Sequence, residues 1–178
     1  MARRARCLVR DLRPWRGRAG LAEHAGMDDA GRPGGEGEFT RLDRGESLRL
    51  LTTVPVGRLI FTVNALPAVR PMNFALVDGL ILLCTAAGST VARKVDGMIV
   101  AFQADELDAA ACSGWSVTVT GRAALVADPD AAARYRKVPL VPWAPGIRDQ
   151  FVTISTELAD GLRVSRPRVA MDGRAAKG

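Results

Sequence analysis

The sequence predicts a mainly β domain, a six-stranded antiparallel barrel with a few short helices. Three observations lead there. Short apolar runs rich in Val, Ile, Leu and Thr follow one another closely, separated by Gly, Pro, Asn and Asp turn signals. One separator is Asp78-Gly79, the residue pair of a two-residue type I′ hairpin. Strands do not alternate with helices and no GxGxxG occurs, which disfavours a doubly wound parallel sheet.

The domain is expected over residues 39–164 of a chain of 178, long enough to bury a core without disulfides. Residues 42–51 read as an amphipathic helix, with Asp43 as N-cap, Glu46 in the capping-box position and Pro55 stopping it. Strands follow over 56–63, 68–77 and 80–85. Residues 64–67 form the first turn, and the second and third strands pair as a hairpin through Asp78-Gly79. Small residues 86–89 lead into a short helix over 90–95. A fourth strand spans 97–105, and a long fifth one, 114–126, alternates clearly. Asp128-Pro129-Asp130 opens a helix to about Lys137, with proline in its first turn. A proline-rich stretch, 138–146, precedes a sixth strand over 150–155.

The net charge of +6 is unevenly spread. The first 18 residues hold seven arginines and one acid, and residues 163–178 hold five basic residues and one acid. The folded middle is therefore mildly acidic, which argues against nucleic-acid binding by the fold. No apolar run reaches the roughly 18–20 residues of a membrane span, so no membrane partner is expected and the cytoplasm is the expected location. The three cysteines, Cys7, Cys84 and Cys112, form no CxxC pair or disulfide framework. Cys84 reads as a buried free thiol. The single histidine, His24, lies outside the domain, which argues against a zinc site or a Ser-His-Asp triad there.

The ends read as extensions. Residues 1–38 are rich in Arg, Gly and Ala and have little periodicity, the composition of a disordered segment. Three readings stand for it: a translated leader ahead of a true start at Met27, a solvated basic arm, or an Arg-rich targeting peptide. Residues 165–178 read as a flexible tail.

Two places could carry chemistry. Thr85-Ala86-Ala87-Gly88-Ser89-Thr90 joins a strand to a short helix, with backbone N–H groups and hydroxyls at the helix start. Arg93 and Lys94 follow about one turn later. The pattern suits a phosphate cradle, though taken alone it reads first as an ordinary helix cap. The second is Arg70-Pro71-Met72-Asn73-Phe74. Proline inside a barrel strand removes a ladder hydrogen bond, so the strand is either a plain edge or one whose backbone faces a planar heteroaromatic ring. Trp115, followed by Ser116, could wall such a ring or be a core or interface aromatic. Trp143 and Arg148 sit on a stiff loop suited to a pocket rim or a subunit contact.

In order and spacing, these segments resemble the pyridoxamine 5′-phosphate oxidase-like family, with its FMN-binding split barrel. The similar segments are Val56-Gly57-Arg58-Leu59, Arg70-Pro71-Met72-Asn73-Phe74, Asp78-Gly79, Thr85-Ala86-Ala87-Gly88-Ser89, Val100-Ala101-Phe102-Gln103-Ala104-Asp105, Gly114-Trp115-Ser116-Val117-Thr118-Val119-Thr120-Gly121 and Pro142-Trp143-Ala144-Pro145-Gly146. The resemblance implies an FMN-dependent oxidoreductase acting on a small molecule, a homodimer with FMN at the subunit interface. It implies that Arg70, Pro71, Met72, Asn73 and Phe74 face the isoalloxazine. Thr85, Ser89 and Thr90, with Arg93 or Lys94, would hold the phosphate. Trp115 and Ser116 would lie near the flavin, and Trp143 and Arg148 would reach in from the second subunit. Thr90 stands where relatives carry lysine, and Gly161-Leu162-Arg163 where they carry Gly-Arg-Arg. These departures shift weight onto Arg93 and Lys94. They leave two alternatives: a deazaflavin-dependent reductase, and a non-catalytic cofactor-binding or sensor protein. The lack of a domain histidine argues against pyridoxamine phosphate oxidation itself.

Overall fold

The computed structural model describes residues 38–140, 143 and 146–165. Residues 1–37 of the expected extension over 1–38, residues 166–178 of the expected tail over 165–178, and Pro142 lie outside the described residues; Glu38 and Ser165 are the ends of strands. Among the described residues eight strands and three short helices follow in the order β1 (Glu38–Leu42), α1 (Arg44–Leu51), β2 (Val56–Val63), β3 (Leu66–Val77), β4 (Leu80–Thr85), α2 (Thr90–Lys94), β5 (Ile99–Asp108), β6 (Ser113–Leu125), α3 (Pro129–Tyr135), β7 (Gln150–Ile154) and β8 (Leu158–Ser165).

Six strands close on themselves. The antiparallel order β6-β5-β2-β3-β4-β7 returns to β6 through the pairs Ala123↔Ile154, Ala124↔Thr153 and Leu125↔Val152. These are the six strands expected from the sequence. Two of them serve two neighbours in succession. β3 pairs with β2 over residues 66–73 and with β4 only over 74–77. β6 pairs with β8 over 114–120 and with β7 over 123–125. The barrel is split where these strands change partner.

β1 and β8 were not expected as strands. β8 adds to the first half of β6, and β1 adds to β8. α1 lies across them, capped as predicted, with the Asp43 carboxylate accepting from the Glu46 N–H at 2.8 Å. It packs closely because Gly161 of β8 has no side chain. A Cβ there would sit 2.3 Å from the Ser47 Oγ.

Leu59, Phe102, Val117, Val119, Ile81, Leu83, Val152 and Ile154 fill the barrel. On the other side of β4 and β7, Leu82, Cys84 and Phe151 are covered by Tyr135 of α3 and by Leu140. β4 is therefore buried on both faces, which explains its unbroken apolar run. Among the described residues the outer face of the opposite wall has no such cover. There the register lines up Val69, Ile60, Ala101, Thr120 and Leu158 across five strands, all at least partly exposed. Among the described residues no helix is long and apolar enough to cross a membrane.

Candidate functional site

The split in the barrel accounts for the proline in β3. Over residues 66–73 the strand has, among the described residues, a ladder partner on one side only, β2, with Pro71 opposite Arg58. Its other edge is open, so proline costs no ladder bond there. Alternate N–H and C=O groups point off that edge, and the Arg70 guanidinium takes up one of them, the Val69 carbonyl, at 2.9 Å.

The β4–α2 junction faces this edge. Thr85, only 3% exposed, and Ser89 share a hydrogen bond between hydroxyls at 2.9 Å. Ser89 caps α2, its Oγ accepting from the Ala92 N–H at 3.0 Å. Gly88 turns the chain with φ of 72°, a conformation that favours glycine. Val91 and Ala92 are buried and anchor the helix.

Between strand and junction lies a cavity of about 250 Å³. β3 contributes Arg70, Pro71 and Met72, and the junction contributes Thr85, Ser89, Thr90 and Val91. Arg148 enters from the segment before β7. Two arginines, two threonines and a serine are among its lining residues and, among the described residues, no acid is, a composition suited to an anion. Val91 was not singled out from the sequence; its only signal is its place in the first turn of a helix too short to bury much else.

The remaining predicted residues lie elsewhere. Arg93 and Lys94 are exposed and do not line the cavity; Arg93 Nη1 donates to the Gly88 carbonyl. Phe74 is buried, edge-on to Phe102 with ring centroids 4.8 Å apart. Asn73 bridges two segments rather than lining the cavity: Nδ2 donates to the Pro55 carbonyl at 3.2 Å and Oδ1 accepts from the Trp143 N–H at 2.9 Å. The Trp143 ring is 73% exposed. Trp115 points into the core at 5% exposure, its Nε1 donating to Glu106 at 3.4 Å. Ser116 points the opposite way, onto the uncovered outer face, where its Oγ accepts from Gln103 at 3.1 Å. Two strands separate β6 from β3, on the order of 14 Å at about 4.8 Å per strand. Arg163, in the C-terminal position noted above, is paired with Glu46 of α1 at 2.7 Å.

A second cavity, about 350 Å³, lies between residues 51–55 and 74–76. It is larger but has no charged lining. Its two threonine hydroxyls already donate to Arg49 and Leu50 carbonyls. The smaller cavity is therefore the chemical candidate. Beneath it, the Cys84 thiol donates to the Arg148 carbonyl at 3.3 Å. Burial pushes this thiol above its ordinary value of 9.0, with the Arg148 charge acting in the opposite direction and Asp149 adding to the rise.

Comparison with known proteins agrees with this architecture. The chain is 42% identical over 132 residues to the uncharacterized protein Rv0080 of Mycobacterium tuberculosis, covering 71% of this chain and 86% of that one. It resembles in structure a Corynebacterium glutamicum protein assigned to the pyridoxamine 5′-phosphate oxidases, with TM-score 0.65 and 27% identity over 72% of this chain and 95% of that one. It also resembles an FAD-binding protein of Mycobacterium smegmatis, with TM-score 0.60 and 29% identity over 71% and 98%. The sequence profile of the pyridoxamine 5′-phosphate oxidase family matches residues 43–164. The chain belongs to that family.

Proposed function

We propose that the protein binds FMN in the Arg70–Arg148 cavity and is a flavin-dependent oxidoreductase acting on a small molecule. The observation that carries this reading is the donor set beside an open strand edge: Arg148, Thr85, Ser89 and Thr90 for a phosphate, and the free backbone edge at Arg70 to Met72 for the polar rim of a flat ring. The residues present fit such a group in charge and in hydrogen-bonding capacity. A bound flavin supplies hydride or electron transfer. The chain supplies position and positive charge.

The same reading takes the protein as a homodimer. A cavity of about 250 Å³ falls below the roughly 300–1,000 Å³ of ordinary small-molecule sites, as expected for a site completed by a second subunit. The outer face with Ile60, Ala101 and Thr120 is the surface suited to that contact. It would bring one subunit's Ser116 and Gln103 toward the other's β3.

The relative that binds FAD makes FAD the first competitor, and the lysine replaced by Thr90 keeps a deazaflavin coenzyme as the second. Titration of apoprotein with FMN, FAD and a deazaflavin coenzyme, followed by flavin fluorescence, tests the assignment. The expected order places FMN first. A protein that binds none of the three, or the deazaflavin coenzyme alone, rejects it.

A further inference from the structure

We propose that Asn73 is a positioning residue whose amide fastens the segment carrying Trp143 and Arg148 to the pocket strand, and so sets the Arg148 guanidinium in the cavity. The inference rests on reading that cavity as the ligand site. Asn73 stands on β3 between Met72, which lines the cavity, and Phe74, which is in the core. It is not itself a lining residue. Both halves of its amide are engaged: Oδ1 with the Trp143 N–H at 2.9 Å and Nδ2 with the Pro55 carbonyl at 3.2 Å.

The two partners dictate the amide's orientation, since a backbone N–H only donates and a carbonyl only accepts. Aspartate would lack the donor, and alanine both groups. The Pro55 carbonyl also accepts from the Phe74 N–H at 3.3 Å, so losing Asn73 leaves it a partner. The bond spans 70 residues of sequence, joining strand to segment rather than tightening a local turn. A second attachment, from the Cys84 thiol to the Arg148 carbonyl at 3.3 Å, holds the same segment five residues further on.

Full-length protein, Asn73→Ala, Arg148→Ala and the double variant test this in two ways. The first is trypsin cleavage of the apoproteins, read by mass spectrometry. Asn73→Ala should be cut after Arg148 roughly tenfold faster, the scale of one to two lost hydrogen bonds. The bonds after Arg58 and Arg122, both within barrel strands, should be cut at the unchanged rate. Unchanged cleavage after Arg148 overturns the proposal. So does equal acceleration at Arg58 and Arg122, which would make Asn73 a general stability residue.

The second is FMN affinity, compared as a double-mutant cycle. Asn73→Ala should weaken binding in the native background and add nothing once Arg148 is alanine. A further loss in the Arg148→Ala background would mean direct ligand contact by Asn73 and would overturn the proposal. If none of the proteins binds FMN, the functional reading fails, and the cleavage rates alone still decide the role of Asn73.

Discussion

β3 and β6 are both long strands that change partner midway, and the sequence marks both for a ligand, yet they present their marked residues differently. On β3, residues 70–72 line the cavity while Phe74 is in the core. Of the two marked residues on β6, Trp115 is in the core and Ser116 reaches the outer face. The contrast lies in which edge is free. β3 keeps an open ladder edge beside the hydroxyl-rich junction, whereas β6 is paired with β5 along one edge and with β8 then β7 along the other. An open edge offers a ligand both side chains and backbone. A fully paired strand offers every second side chain.

The largest expected effect tests the β6 half of this comparison. Trp115→Ala should cost about 3–5 kcal/mol of stability as a core truncation, measured by urea unfolding, and Trp115→Phe far less. A variant of native stability that binds FMN poorly would instead make Trp115 a wall of the site. Next comes the outer face. Thr120→Arg would place an unpaired charge in the proposed subunit contact, at a cost of several kcal/mol, and should convert dimer to monomer in sedimentation with the fold intact. A dimer that survives moves the contact elsewhere.

On β3's side, Arg148→Ala should weaken FMN binding by roughly 10- to 100-fold, the scale of a hydrogen bond to a charged group. The smallest effect concerns Cys84. Its folded-state pKa is raised, so its contribution to stability is intact below pH 9.0 and is lost as the pH rises toward the folded value. Stability measured across that window should fall, and fall less in Cys84→Ala. In thiol labelling of the folded protein, exposed Cys112 should react and Cys84 should not.

The barrel strands were legible because each is a short apolar run bounded by its own turn signals. β1 and β8 were not. β8 contains Gly161, which reads as a weak point in a strand, and the reason for it, the close approach of Ser47, lies more than a hundred residues away. The candidate site was legible by segment and not by side chain. Neighbours such as Trp115 and Ser116, or Asn73 and Phe74, point to opposite faces. Which face is covered depends on distant elements: α3 over one wall of the barrel, nothing described over the other. The roles expected of Arg93 and Lys94 followed from their place one turn after the loop and from the family resemblance. In the structure both are exposed outside the cavity, and the second guanidinium in it comes from Arg148, more than fifty residues later.

The central claim is that the cavity between Arg70 and Arg148 holds the flavin phosphate. Its most direct test is an FMN titration of the native protein and Arg148→Ala, followed by quenching of flavin fluorescence. The account predicts saturable binding at one FMN per chain, weakened at least tenfold in the variant. Absence of binding, or equal affinity in the two proteins, would contradict it.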